Sequence, residues 1–501
     1  MSTAYFDVRR FGYLSDPETP VTIPVAQAVS HSQIVGFFVQ DSWSIMDKVT
    51  VNLGFRYDSL SLKGDDGVVR IALNDQISPR IGFVFDPTQA GRSKIYANYG
   101  RYYEQIPLDI ADRELSAEPT IFAWHSTTCS PLAQGGVAGC DAATLITSDF
   151  RPSRRWRVNS ADQVPVDPNL KSTANDEIVA GGEYEIIPNA RLGVSYTYRN
   201  LVRTVEDMSN DEANTYFIGN PGEGIADTFP HAKRTYNAVT VQFSKTFADL
   251  WLAQMSYTFA TLRGNYDGLY RPEDGQLDPN LNSTFDLKSL LLNQDGPLGN
   301  DITHTIKLYA AKEFPVLPVL SISLGVGFTA SSGIPINYLG AQVLYGPGQA
   351  YILERGSGGR LPWVTSFDSR LSVNYQINRD IKVTLSVDAF NLFNSQRPTA
   401  VDNNYTFDTV GPIINGTNGT IPPHFGGVCT DSGGGNFTCS DNGNGSLPRP
   451  LSVAQNLHVA LPDPTSSVPN AVTPAAVNVN WGKPTQYQAV RTFRFGARVT
   501  F

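Results

Sequence analysis

Apolar and polar residues alternate one for one through thirteen or fourteen stretches of this chain, and the connections between them alternate too, short then long. At the C-terminus Phe493, Phe495, Ala497, Val499 and Phe501 fall on one face of an extended segment, with Thr492, Arg494, Gly496, Arg498 and Thr500 on the other. Leu320, Ile322, Leu324, Val326 and Phe328 oppose Ser321, Ser323, Gly325, Gly327 and Thr329 in the same way. So do Ile381, Val383, Leu385, Val387 and Ala389 against Lys382, Thr384, Ser386 and Asp388, and Val49, Val51, Leu53, Phe55 and Tyr57 against Thr50, Asn52, Gly54, Arg56 and Asp58. Successive side chains of a strand point to opposite faces, so each stretch offers one apolar and one polar face. Strands of soluble sheets usually run about 5 to 6 residues, whereas a tilted strand crossing a bilayer needs roughly 9 to 11. These stretches are of the longer kind.

The alternation predicts strands near 2–9, 32–44, 47–60, 78–86, 93–103, 172–187, 190–203, 234–247, 250–262, 302–314, 319–330, 362–377, 380–393 and 487–501, the first of them weak. Tight turns are expected near Met46, Pro87 to Gly91, Pro188-Asn189, Ala248-Asp249, Pro315 to Pro318 and Asn378-Arg379, where Pro, Asn, Asp and Gly supply turn geometry. Long segments lie between them at 10–31, 61–77, 104–171, 204–233, 263–301, 331–361 and 394–486, and together they exceed half of the chain. In an antiparallel sheet successive connections emerge at opposite ends, so all short turns share one rim and all long loops the other. The expected fold is therefore all-β: an antiparallel transmembrane β-barrel, a single domain over 1–501, with short periplasmic turns and long extracellular loops. The expected location is the bacterial outer membrane.

Composition adjusts this picture little. Length alone suggests several domains, but barrels are an exception to that prior. Hydrophobic residues make up 41% and no run of about 18 apolar residues exists, as a strand that keeps its other face wet requires. With 22 Tyr and 26 Phe, aromatic girdles at the membrane interfaces are available, and Tyr57, Tyr102, Tyr103, Tyr196, Tyr198 and Tyr257 stand near strand ends. Cross-strand aromatic pairing is the alternative account of any one of them. A formal charge of −9 argues against a nucleic-acid partner, which would be held by clustered Lys and Arg. The one basic cluster, Arg151, Arg154, Arg155 and Arg157 around Trp156, reads as a solvated loop patch.

Four cysteines fall as close pairs, Cys129 with Cys140 and Cys429 with Cys439, inside loops placed outside the cell. An oxidising compartment favours two small disulfide loops, and the spacing lacks the short gaps and neighbouring histidines of a zinc site. The chain holds no His-Glu-x-x-His, Gly-x-Ser-x-Gly, phosphate-loop or dinucleotide signature, so no enzyme, catalytic residue, metal site or cofactor is expected. The six histidines (His31, His125, His231, His304, His424 and His458) read as loop or lumen residues. Gly433-Gly434-Gly435 beside Asp431, Asp441, Asn442 and Asn444 does not match calcium-loop spacing.

Several segments resemble the TonB-dependent receptor family, in the Oar-like branch whose members carry a carboxypeptidase-regulatory-like domain ahead of the plug. Phe38-Val39-Gln40-Asp41-Ser42-Trp43 followed by Val49-Thr50-Val51-Asn52-Leu53-Gly54-Phe55-Arg56-Tyr57-Asp58 resembles a hairpin of that family. Ser78-Pro79-Arg80-Ile81-Gly82-Phe83 with Tyr96-Ala97-Asn98-Tyr99-Gly100-Arg101-Tyr102-Tyr103 is similar to the next one, and Asp388-Ala389-Phe390-Asn391-Leu392-Phe393-Asn394 to a strand near its C-terminus. Asp301, His304, Ser332-Gly333-Ile334-Pro335 and the terminal Arg494 to Phe501 fit as well. The resemblance implies a plug inside a barrel of about 22 strands. About fourteen of them would be present here, as the C-terminal portion of a longer chain whose plug and TonB box precede Met1. No secretory leader is visible in the first ten residues, as that reading requires. In such a portion the outermost strands lack neighbours, which is costly in lipid.

The function expected from the resemblance is TonB-dependent uptake of a scarce extracellular solute, a siderophore, an oligosaccharide or a peptide. A passive porin and a surface adhesin or structural barrel are the rivals. The loops at 104–171 and 394–486, rich in aromatics and holding both cysteine pairs, are the favoured ligand-contacting segments. Expected partners are outer-membrane lipid and lipopolysaccharide, the TonB system through the preceding region, and the barrel-assembly machinery, which would read Phe493, Phe495, Val499 and Phe501.

Overall fold

Thirteen long strands follow one another as neighbours in a single antiparallel sheet of the computed structural model, with the two-residue Gly296–Pro297 as a fourteenth off the path. The structure describes residues 30–64, 67–106, 108, 164–211, 216–268, 270–273, 283–342, 345–409 and 476–501. It also describes the backbone of Tyr5–Arg10, Thr120–His125, Cys429–Asp431, Phe437–Cys439, Ala460–Pro462 and Val472–Pro474. The path runs through β1 (His31–Ile45), β2 (Val49–Lys63), β3 (Val69–Phe85), β4 (Ser93–Tyr103), β5 (Ala174–Ile187), β6 (Ala190–Arg203) and β7 (Arg234–Ala248). It continues through β8 (Trp251–Gly264), β9 (His304–Leu317), β10 (Leu320–Ser331), β11 (Val364–Gln376), β12 (Lys382–Phe390) and β13 (Thr492–Thr500). Among the described residues β1 and β13 each pair on one side only, so the sheet is open.

The short turns sit where the sequence places them. Met46 and Asp47 (φ 51° and 53°), Asn189 (φ 64°) and Asp249 (φ 54°) adopt the left-handed conformation that tight connections between twisted strands demand. Two expectations change. The segment 61–77 is not a loop: β2 and β3 run on to a turn at Gly67 (φ 74°). The apolar phase of β2 switches there from odd to even positions, and Leu60 and Leu62 are buried where the polar face would continue. The weak first strand exists as Tyr5–Arg10, but it pairs with Thr120–His125 in a separate two-stranded sheet rather than with the wall.

The chain divides into two compact units, residues 1–36, 58–75 and 105–168, and residues 37–57, 76–104 and 169–501. In the first, Leu60, Leu62, Ile71 and Leu73 are buried and Ser59 Oγ donates to Asn74 Oδ1. The second carries most of the sheet. Its register aligns like faces: Val387 opposite Phe495, Leu385 opposite Ala497, Leu371 opposite Val387 and Leu324 opposite Leu371. This apolar face is uncovered, with Phe495 78%, Leu385 56% and Leu371 50% exposed. Withdrawing such surface from water is worth about 25 cal/mol per Å². The other face is knitted by polar ladders. Arg494 donates to Asp388 at 2.9 Å, Asn374 to Ser323 at 2.9 Å and Thr384 to Asn374 at 2.8 Å.

Candidate functional site

At the long-loop rim the connections after β6, β8 and β10 fold against one another. Glu206–Met208 pairs with Phe217–Gly219, and Leu201, Met208, Phe217, Phe229, Tyr266 and Phe285 form a buried cluster beneath them. Phe217 meets Phe229 edge-on at 6.1 Å, and Tyr266 meets Phe285 at 6.1 Å. The segments are also stitched by backbone, with Ser209 N–H donating to the Asp286 carbonyl at 2.7 Å. Asn220 joins in by its carboxamide, which donates to the Thr204 carbonyl at 2.7 Å and accepts from Lys171 N–H at 2.8 Å.

A second, charged knot ties the segment after β8 to the segment after β10. The Arg355 side chain is fully buried and pairs with Asp267, with Glu273 3.7 Å away. Its guanidinium lies 4.8 Å from the centre of the Tyr351 ring, and that of Arg271 lies 5.4 Å from it. Arg271 donates to Gln349 at 2.8 Å and to the Gly348 carbonyl at 2.9 Å. Buried charges persist only when paired and hydrogen-bonded in this manner. Burial pushes the Tyr351 hydroxyl above its ordinary range. Asp301, singled out in the sequence, is a fastener too. It accepts from Leu262 N–H at 2.6 Å and pairs with Arg360, whose guanidinium also donates to the Asp301 carbonyl at 2.7 Å. Gly333 of the Ser332 to Pro335 motif runs against Leu361, whose carbonyl oxygen lies 1.8 Å from where a Cβ would stand.

Beside the aromatic cluster lies a group of carboxyls, Glu206 with Asp207 and Asp286. Glu206 is 1% exposed, and burial, reinforced by Asp207 and Asp286, pushes its carboxyl well above the usual range. Tyr266 is raised by burial and then by Glu206. Tyr345 donates to Asp286 at 2.6 Å, and burial with that carboxylate raises it as well.

The favoured loops 104–171 and 394–486 fall mostly outside the described residues, Cys129 and Cys140 among them. The described root of the last loop joins the same cap. Tyr338 stacks on Trp481 at 4.3 Å, Tyr405 stands edge-on to both, and Trp481 Nε1 donates to the Asn337 carbonyl at 3.0 Å. Cys429 and Cys439 are direct register partners across Cys429–Asp431 and Phe437–Cys439. Phe493, Phe495 and Val499 lie on the apolar face of β13, and Phe501, just beyond it, is exposed. Tyr257 belongs to an aromatic row at this rim: its hydroxyl is 2.9 Å from His304 Nδ1, and His304 stacks on Trp363 at 5.6 Å. Sequence reasoning missed Arg355, Asp267, Glu273, Tyr351 and Glu206. They sit in the segments between the wall strands, outside the long alternating stretches, and only their burial marks them.

The segments at this rim thus form a packed cap held by a buried aromatic cluster and paired charges. The chain matches the family described as TonB dependent receptor-like, beta-barrel, over residues 2–108, and the outer membrane beta barrel domain over residues 62–322. It is 42% identical over 512 residues to the TonB-dependent transporter Oar of Myxococcus xanthus, an alignment covering 99% of this chain and 45% of that protein. The chain therefore spans about 45% of the length of this curated relative. Among solved structures, the siderophore receptor PiuA from Acinetobacter baumannii is 14% identical with a TM-score of 0.43, over 76% of this chain and 42% of that one. The outer membrane transporter YddB from Escherichia coli is 17% identical with a TM-score of 0.42, over 74% and 43%.

Proposed function

On the premise that this chain belongs to the outer-membrane β-barrels, in the TonB-dependent receptor family, we propose that it is the barrel portion of an energy-coupled receptor that takes up a scarce extracellular solute. Its location is the bacterial outer membrane, and the family is one of transporters rather than enzymes. The observation that carries the reading is the 42% identity to a TonB-dependent transporter across 99% of the chain. The geometry supports it: the apolar face would meet lipid, the polar face would line the passage, and the loop cap would make first contact with the solute. The two compact units would be parts of one barrel domain, completed by a plug and a TonB-contacting peptide elsewhere in the protein.

Uptake by cells expressing the complete protein tests this reading. Uptake is expected to stop when a protonophore collapses the inner-membrane gradient. Uptake that survives the collapse would overturn energy coupling and favour a passive pore. Surface binding without uptake would favour an adhesin.

A further inference from the structure

The polar face of β1 to β5 holds a hollow of about 590 Å³ whose walls include Gln40, Asn52, Arg80, Asn98, Tyr102 and Glu177. It lies on the part of the sheet nearest β1, and none of its lining residues belongs to the loop cap. We propose that this hollow is a subsite for a carboxylate-bearing polar solute, an inference that rests on the polar face being the wall of the passage.

Three observations carry it. First, Arg80 has no acidic partner among the described residues, while other cations of the same face do: Lys94 faces Glu183 at 4.0 Å, and Arg494 faces Asp388 at 2.9 Å. Two acids line the hollow: Glu177 is already taken by Arg199, and Asp41 accepts from Ser42 N–H at 2.8 Å and from Trp43 Nε1 at 2.7 Å. Second, the guanidinium is held in place, with its carbon 5.3 Å from the centre of the Tyr102 ring. That ring is itself folded back over Gly100, since its atoms come within 3.0 Å of where a Cβ would be. A fork fixed over an aromatic ring keeps its donors in one plane, the geometry that a carboxylate matches with two parallel hydrogen bonds. Third, the carboxamides of Asn52 and Asn98 lean over Gly82 from neighbouring strands, at 3.5 Å and 2.9 Å from its absent Cβ. Each offers donors and an acceptor to hydroxyl or amide groups beside the bound carboxylate. One lining cation, Arg80, beside the carboxylates of Asp41 and Glu177 disfavours multiply charged phosphates and leaves the Arg80 fork for a carboxylate. The volume is within the range of small-molecule sites, about 300 to 1,000 Å³.

The test uses the complete transporter in detergent micelles, titrated calorimetrically with malonate and with its neutral analogue malonamide. Malonate is expected to bind and malonamide not to compete. Arg80→Gln should weaken malonate binding at least tenfold, Arg80→Lys should fall between, and Asn98→Leu should weaken it several-fold. Far-UV circular dichroism and retention of the heat-modifiable band identify variants that fold, and Asn52→Leu provides an independent wall change should Asn98→Leu fail. Malonate binding that is absent from the unaltered protein, unchanged in Arg80→Gln, or matched by malonamide overturns the subsite. Arg80-dependent malonate binding in a protein whose uptake ignores the proton gradient would sink the transport reading and leave the subsite standing.

Discussion

The ring of Tyr338 lies on that of Trp481 at 4.3 Å and 23°, joining the segment after β10 to the returning end of the loop before β13. These residues are far apart in the chain, so the stack closes a long loop at its root. Trp481→Ala removes the ring and its hydrogen bond to Asn337, which together are worth about 3 to 5 kcal/mol in a packed site and less in a half-buried one. Amide hydrogen exchange in 331–361 and 476–490 should speed up by at least tenfold, while β9 to β12 keep their protection.

Glu206 supplies a pH dependence. Its folded pKa lies above the ordinary carboxyl value because of burial and then Asp207 and Asp286. The folded cap therefore holds a proton that the unfolded segment releases more readily. Cap stability is full in acid and declines as pH rises from the ordinary carboxyl range through the raised folded value. Hydrogen exchange of 204–233 measured across pH should show this loss, and Glu206→Gln should flatten it. A pH profile that Glu206→Gln leaves unchanged would rule the mechanism out.

The two faces of β12 give a paired prediction about the membrane. Leu385 is on the uncovered apolar face and Ser386 on the ladder face. Leu385→Arg places a charge toward lipid at a cost of about 2 to 4 kcal/mol near mid-depth, whereas Ser386→Thr keeps a hydroxyl on the polar ladder. Assembly into outer membranes, read from the heat-modifiable band, should drop sharply for the first and little for the second.

Register opposition of Cys429 and Cys439 brings their Cα atoms to the separation that antiparallel partners share, about 4.5 to 5.5 Å, which a disulfide spans. Peptide mapping without reductant should recover the two cysteines linked to each other. Recovery of both as alkylated free thiols would contradict the assignment, and Cys129 with Cys140 can be read in the same digest.

At Gly333 a methyl group would collide with the Leu361 carbonyl. Gly333→Ala is expected to separate the two halves of the 331–361 segment and to destabilise the cap by about 1 to 3 kcal/mol. Local proteolysis near 333–361 would register it, with the wall intact.

The strands were legible because a wall residue answers to one local rule: odd positions meet one medium and even positions the other, and the rule holds wherever its neighbours lie. Val383, Leu385 and Val387 announce their face without knowledge of Phe495 or Leu371. The turns were legible for a similar reason, since Asn189 and Asp249 tolerate the left-handed backbone locally. Where the local rule changes phase, at Leu60 and Leu62, the alternation breaks, and a window of sequence does not distinguish the continuing strand from a loop.

The loop cap followed no such rule. Arg355 finds Asp267 across 88 residues, Trp481 finds Asn337 across 144, and Tyr5–Arg10 finds Thr120–His125 instead of the wall. Each pairing depends on desolvation and on which distant segment arrives, properties of the assembled interior and not of any sequence window. The sequence by itself determined the wall, its faces and its rims, because alternation is a one-dimensional response to two solvents. Only the tertiary structure decided which loop residues became fasteners, which carboxyl lost its water, and that Arg80 on the polar face has no acidic partner among the described residues.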